Sequence, residues 1–255
     1  MNALKYFVYK NIIPMLGSVF NGRNKYINVI YYHDIVKGEG ESFMKTSLYL
    51  FKKQMQYISD NGYVTKRFDD LGTLDDCLCD GKSVIIAFDD GWLSNYTEIF
   101  EYMESHGLKY NIFLEVGKIG TDPGYLSWDQ VREMYGSGTV GFGAHTYTHP
   151  DMTNLSAVDL NHEIDDANEK IERELGFVPR DFCFPYGRYS EETLQAVIDK
   201  KVYNRIYTSD LGYSYLRQHA IVFGRNAISN DEDFTIFENK LKGRYNIYTT
   251  IKKFL

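Results

Sequence analysis

The sequence predicts an α/β fold built on a parallel sheet, and three observations carry that expectation. Apolar, β-branched runs of strand length recur along the chain, amphipathic stretches with helix caps separate them, and no Pro/Gly/Ser-rich linker or internal repeat interrupts the series. Alternation of this kind, with about seven strands, means a sheet that is either doubly wound or closed into a barrel. A length of 255 residues suits one such domain.

The first segment, 1–25, stands apart. Leu4, Phe7, Val8, Ile12, Met15, Leu16 and Val19 recur at helical spacing with Lys5 and Lys10 beside the stripe, which predicts an amphipathic helix kinked at Pro14. Lys10, Asn11 and Pro14 break the apolar run, and no small-x-small cleavage site follows, so it reads neither as a signal peptide nor as a membrane span. Two roles are open to it: packing on the domain, or lying in a membrane interface through residues 4–20. The expected location is therefore cytoplasmic, with contact at the inner membrane face as the other reading, and residues 26–255 are expected to form the main domain.

The elements then follow in order. INVIYY (27–32) reads as a buried strand, and SLYLFKKQMQYISDNG as a helix with Leu50, Gln54, Tyr57 and Ile58 near one face and Gly62 at its stop. SVIIAF (83–88) is a continuous apolar run of the kind covered on both faces. A helix from Asn95 to His106 and a strand at 110–116 come next. Ser127 and Gln130 form a capping box, 139–144 is a strand, and Ser156 caps a long helix that buries Leu160, Ile164, Ala167, Ile171 and Leu175 and stops at Gly176. Strand 181–185, a helix opened by Ser190 with Glu191 and Glu192, and strands at 202–208 and 220–228 complete the series. The tail, 229–255, reads as a short amphipathic helix at most, and the sequence gives it no role.

Composition narrows the ligand. A net charge of −7 without a Lys/Arg stripe argues against nucleic acid. Cys77, Cys79 and Cys183 are odd in number and lack CxxC spacing, so neither a disulfide framework nor a cysteine zinc site is written, and reduced thiols are expected.

In parallel folds the chemistry collects where strands end, and polar residues fall there repeatedly: His33 and Asp34, Asp89 and Asp90, His145 and His149, Tyr186. His145 and His149, four apart, can approach one metal ion; alone, such a pair also serves to cap a loop or face solvent. Asp89-Asp90-Gly91 alone is ordinary turn chemistry. Together, two histidines and one carboxylate make a three-ligand site with an open position, and the spare carboxylate is available as a general base.

AFDDGW, GAHTYTHPDM and FCFPYG, in this order, resemble the first three motifs of the NodB-like polysaccharide deacetylases, carbohydrate esterase family four. The resemblance implies a distorted (β/α) barrel over about 27–228. It further implies Asp90, His145 and His149 as metal ligands, Asp89 as the base, and the backbone N–H of Tyr186 as an oxyanion donor. The implied cofactor is one divalent ion, zinc first, with cobalt, nickel or iron compatible with the same ligands. The implied reaction is removal of the N-acetyl group from N-acetylhexosamine units of a bacterial surface saccharide or its lipid-linked precursor. The alternatives are a hydrolase of formyl or O-acetyl groups and a saccharide-binding protein without turnover.

The chain departs from the pattern in two places. Cys183 stands where many members carry arginine, and no late leucine-x-histidine motif is present, His219 lying in the right region without its surroundings. His33, in YYHDI, resembles the early histidine of the poly-N-acetylglucosamine deacetylases, which implies a general acid. Arg225 resembles a late strand arginine that orients the base, with a structural ion pair as the other reading. Trp92, Pro185 and Tyr186 adjoin the motifs and are expected to meet the saccharide, whereas Trp128, His106 and His162 are expected in packing or at the surface.

Overall fold

A computed structural model describes residues 3–20, 26–78, 80–211 and 214–246; Cys79, the expected boundary at 25 and the last part of the tail, 247–255, lie outside the described residues. The chain opens with α1 (Ala3–Phe7), a π-helical turn at Val8–Ile12 and α2 (Ile13–Phe20). Proline in a helix lacks an N–H and crowds the carbonyl four residues back. Here the wider turn just ahead of Pro14, closed by Ile13 N–H to Val8 C=O, absorbs that conflict. Ile13 packs with Ile236 and Tyr245, with Val8 and Tyr9 beside them, while Leu4, Phe7, Met15 and Val19 remain exposed.

Every expected apolar run becomes a strand. The strands are β1 (Asn28–Tyr32), β2 (Asp34–Val36), β3 (Lys45–Ser47), β4 (Val64–Lys66), β5 (Ser83–Phe88), β6 (Tyr110–Leu114), β7 (Val140–Ala144), β8 (Asp181–Cys183), β9 (Arg205–Tyr207), β10 (Tyr215–Arg217), β11 (Ala220–Phe223) and β12 (Asn226–Ala227). The main sheet runs β10-β11-β9-β8-β7-β6-β5-β1-β12, with β4 also on β5, and all its pairings but β10–β11 are parallel. β2, β3, β4 and β10 went unread in the sequence, because each is a three-residue pairing too short to show an apolar period.

The expected strand 220–228 is split. Its first half pairs with β9 and its second with β1, so one kinked strand brings the margins of a strongly curled, mostly parallel sheet together at Gly224 and Arg225. The result is a half-barrel with α3 (Leu48–Asp60), α4 (Ser94–Thr97), α5 (Phe100–Ser105), α6 (Trp128–Gly136), α7 (Ala157–Leu175), α8 (Glu191–Asp199) and α9 (Phe234–Leu241) among its connections. The helix expected from Asn95 to His106 breaks at Ile99, which leaves helical geometry (φ −124°, ψ −23°) and is fully buried. Ser127 and Gln130 do form a capping box, Ser156 caps α7, and Gly176 ends it in the left-handed conformation (φ 79°).

Side chains alternate across a strand, and the curled sheet therefore has two cores. Ile30, Tyr32, Ile86, Phe88, Ile112 and Phe142 face the helices, whereas Val29, Tyr31, Ile85, Ala87, Phe113 and Phe223 fill the interior. Gly143 leaves the space that Phe113 occupies, for a Cβ there would lie 2.7 Å from the ring. At the start of β8 and β9, Asp181 and Arg205 pair through two bonds of 2.6 Å, which neutralises the charges buried at that end. Cys77 and Cys183 are buried free thiols, as expected.

Candidate active site

The period of two that fills the interior also aims the chemistry. Continuing the inward positions past the strand ends gives His33 after Tyr31, Asp89 after Ala87, His145 after Gly143 and Arg225 after Phe223. Asp90 should point away from Asp89 if the strand continued. It does not, because Asp90 (φ 75°) and Gly91 (φ 86°) are both left-handed and turn the chain so that the second carboxylate faces the same cleft. Holding a non-glycine residue there costs about 1–3 kcal/mol, and such outliers gather at functional sites.

Asp90 Oδ1 lies 3.6 Å from His145 Nε2 and 3.5 Å from His149 Nε2, and the two imidazole nitrogens are 3.2 Å apart. HTYTH is a turn rather than a helix, with Thr146 (φ 63°) and His149 (φ 58°) left-handed. The Glu163 carboxylate on α7 closes it by accepting from the backbone N–H groups of Tyr147 and Thr148. His145 Nδ1 sits 2.8 Å from the Cys183 carbonyl, which can only accept, so the proton is on Nδ1 and the Nε2 lone pair is left for a ligand role. Burial drives the His145 imidazolium pKa down to about 4 and lowers that of His149, so both rings are neutral at pH 7. Two neutral imidazoles and a carboxylate oxygen in contact are a donor set that fits a divalent metal ion.

A second cluster, Asp89, His145 and Cys183, also comes together. It is the poorer ligand set: Arg225 occupies both Asp89 oxygens at 2.7 and 2.8 Å, and burial pushes the Cys183 thiol well up, keeping it protonated. Burial alone would raise the Asp89 carboxyl; the Arg225 guanidinium overrides it and holds it at about 2. Arg225 is itself fully buried, donates through Nε to the Thr208 carbonyl at 2.9 Å and lies over the Tyr31 ring at 4.0 Å. Its expected pairing with Asp89 is thus present.

His33 Nε2 is 3.9 Å from Asp89 Oδ2, and its Nδ1 is buried without a hydrogen-bond partner among the described residues. His219 is elsewhere: it lines a separate cavity with Cys77, Asn204 and Arg205, at the end where β9 begins. Of the two histidines considered as acid, the fold brings only His33 to the site. His106 closes α5 against the Tyr102 carbonyl, and His162 pairs with Asp166 at the surface.

The cleft has a volume of about 340 Å³, within the range of small-ligand sites. His33, Asp89, Asp90, His145 and His149 form its floor, and Phe43, Met44, Tyr186 and Arg188 stand at its walls. Tyr186 is left-handed (φ 57°), 61 % exposed, and has its ring 4.6 Å from that of His149. Pro185 is buried at the start of the turn that presents Tyr186. Trp92 and Pro185 are not among the lining residues; the Trp92 indole instead donates to Asp90 Oδ2 at 3.0 Å. Phe43 and Met44 escaped sequence reasoning because Asn230 places them: it accepts from Ser47 N–H and donates to the carbonyl of Gly40, stapling the loop that carries them.

Comparison with known proteins agrees with this geometry. The polysaccharide deacetylase family model matches residues 79–204. Bacillus subtilis YxkH, provisionally named a polysaccharide deacetylase, is 28% identical over 186 residues, which are 72% of this chain and 64% of that protein. A chitin deacetylase of Colletotrichum lindemuthianum is 25% identical over 40% of this chain and 41% of its own. The chain therefore spans less than two thirds of the length of these curated relatives. Among solved structures, the Streptococcus pyogenes deacetylase PplD superposes with a TM-score of 0.76 at 22% identity, covering 86% of this chain and 98% of that one. IcaB from Ammonifex degensii gives 0.71 at 21%, covering 86% and 98%. These structures share the fold, and the three ordered motifs sit in it as a donor set that fits a metal ion, a charge-compensated carboxylate and a left-handed tyrosine, all within residues 79–204, the part of the chain that matches the polysaccharide deacetylase family.

Proposed function

We propose that the protein hydrolyses the N-acetyl group of an N-acetylhexosamine unit in a bacterial surface saccharide or its lipid-linked precursor. The observation that carries this reading is the Asp90, His145 and His149 triad beside an ionised Asp89 and a histidine with a free ring nitrogen. A divalent ion on that triad, zinc being our first choice, would acidify water and polarise the acetyl carbonyl. Asp89 accepts the proton that the attacking water loses. Its low basicity makes it a weak proton acceptor, so the base role depends on that acidification. Arg225 keeps it ionised and fixes its orientation. His33 delivers a proton to the departing amine, and the Tyr186 backbone N–H meets the developing negative charge on the acetyl oxygen. Products are acetate and a free amino sugar.

The names of the relatives, chitin deacetylase among them, support a saccharide amide. Trp92, which the sequence suggested as a saccharide contact, has a better-supported role below; Tyr186, exposed at the cleft wall, remains our choice for stacking on the sugar. The exposed apolar residues on α1 and α2 support peripheral membrane contact and, with it, a lipid-linked substrate at the inner face. No helix among the described residues is long and apolar enough to cross a membrane.

The test is acetate release from N-acetylglucosamine oligomers and a lipid-linked N-acetylhexosamine, with chelator-stripped protein before and after zinc or cobalt is restored. Release should need the metal and fall about a hundredfold or more in Asp89→Asn. Metal-loaded protein that frees no acetate from any of these substrates would overturn the sugar amide as its target.

A further inference from the structure

Asp90 uses its two oxygens differently. Oδ1 faces both imidazoles, whereas Oδ2 accepts the Trp92 indole N–H at 3.0 Å. Indole is a donor only and does not titrate, so it can engage a carboxylate oxygen but never a metal ion through a lone pair.

The indole is held from behind. It stacks on Tyr125 with centroids 4.6 Å apart and planes 24° apart, and the backbone clamps the pair: Leu93 N–H donates to Gly124 C=O at 2.9 Å, and Leu126 N–H to Gly91 C=O at 3.0 Å. The Tyr125 phenol lies beside the Glu115 carboxyl, and Glu115 N–H donates to the Asp90 carbonyl at 3.1 Å. The support thus leaves Asp90 through its side chain and returns through its main chain. Trp92 is only half-buried, and its packing alone would not require the nitrogen to face a carboxylate.

We infer that Trp92 is a positioning residue for the metal site: by engaging Asp90 Oδ2 it makes Asp90 a one-oxygen ligand and keeps a coordination position open for the reaction. A carboxylate free at both oxygens can chelate, whereas one oxygen tied to a strong donor leaves the other as the single ligand atom. Outer partners of this kind are typically worth about 10–100-fold in metal affinity or activity. The inference rests on the metal site of the proposed reaction, though not on the identity of the acyl group.

The experiment compares wild type with Trp92→Phe, which keeps the aromatic stack and deletes only the N–H, and with Tyr125→Phe, which keeps the N–H and the stacked ring and removes only the hydroxyl beside Glu115. Co²⁺ binding is followed by calorimetry and by the visible absorption of the bound ion, whose intensity falls as coordination rises from four to five. In Trp92→Phe the Co²⁺ Kd should rise about tenfold, the visible bands should weaken, and kcat should fall more than KM rises. Tyr125→Phe should shift the same quantities in the same direction by less. Thermal unfolding of the metal-free variants within a few degrees of wild type separates positioning from misfolding. An unchanged Kd and spectrum in folded Trp92→Phe would overturn the assignment. Wild type that takes up Co²⁺ yet frees no acetate would overturn the reaction and leave the assignment standing; wild type that takes up no Co²⁺ would overturn both.

Discussion

Asp89 and Asp90 are neighbours in sequence with opposite surroundings. One has both oxygens on a buried guanidinium, and the other divides its oxygens between two imidazoles and an indole. On the proposed mechanism that difference separates a proton acceptor from a ligand, and it arises from two consecutive left-handed residues. The imidazoles set the pH response. His145 has its pKa lowered to about 4 in the fold against an unfolded value near 6.5, so between these values the unfolded chain binds the extra proton. Stability of the metal-free protein should therefore be unaffected by this group above pH 6.5, fall as pH drops from 6.5 to 4, and lose on the order of 3 kcal/mol across the window. Urea midpoints measured from pH 7.5 to 4 check this, and a His145→Gln variant should flatten the curve in that interval. Metal uptake by the folded protein should weaken only as pH approaches 4, where the His145 ring takes up a proton, because ligation needs the neutral ring.

At the scale of elements, legibility followed local pattern. β1, β5, β6 and β7 are continuous apolar runs buried on both faces, so the sequence announces them. The ligand histidines and the double aspartate were equally visible, since they stand at strand ends in a fixed order. What escaped depends on distant chain. The loop of Phe43 and Met44 takes its shape from Asn230, 190 positions beyond the Gly40 carbonyl it holds, and no local signal encodes that contact. Trp92 was conspicuous beside its motif, but its indole partner could not be read without the turn at Asp90. The staple makes a prediction of its own. Asn230→Ala should cost about 1–2 kcal/mol in stability and loosen the wall beside His33. Steady-state kinetics on an N-acetylglucosamine oligomer should then show KM rising about threefold to tenfold with kcat changed by less than about twofold, as expected when ground and transition states lose the same contact. A fall in kcat with KM unchanged would argue instead that the loop acts on the chemistry.

For the whole molecule, the N-terminal segment is fastened on one side and open on the other. The Tyr245 hydroxyl donates to the Tyr9 carbonyl at 3.0 Å and Lys10 pairs with Asp233, while Leu4 and Val19 are 72 % and 75 % exposed. We expect the protein to sediment with vesicles of mixed zwitterionic and anionic phospholipid. Leu4→Glu with Phe7→Glu should reduce that partitioning roughly a hundredfold, the effect of withdrawing two large apolar side chains from the interface. Wild type that stays in the supernatant would remove the membrane from the account. The kinked strand 220–227 has a further consequence, one of timing. Asp89 waits for a guanidinium 136 residues away, and that residue sits at the bend where the last strand joins both margins of the sheet. Until those late residues have been synthesised and docked, the carboxylate at the end of β5 has no counter-charge, and the neighbouring strand β1 lacks its outer partner β12. Contacts of such sequence separation form slowly and late in folding. On the proposed mechanism, a nascent or partly folded chain would carry the candidate metal-site motifs without a charge-compensated Asp89, and hydrolysis would begin only with the closing of the fold.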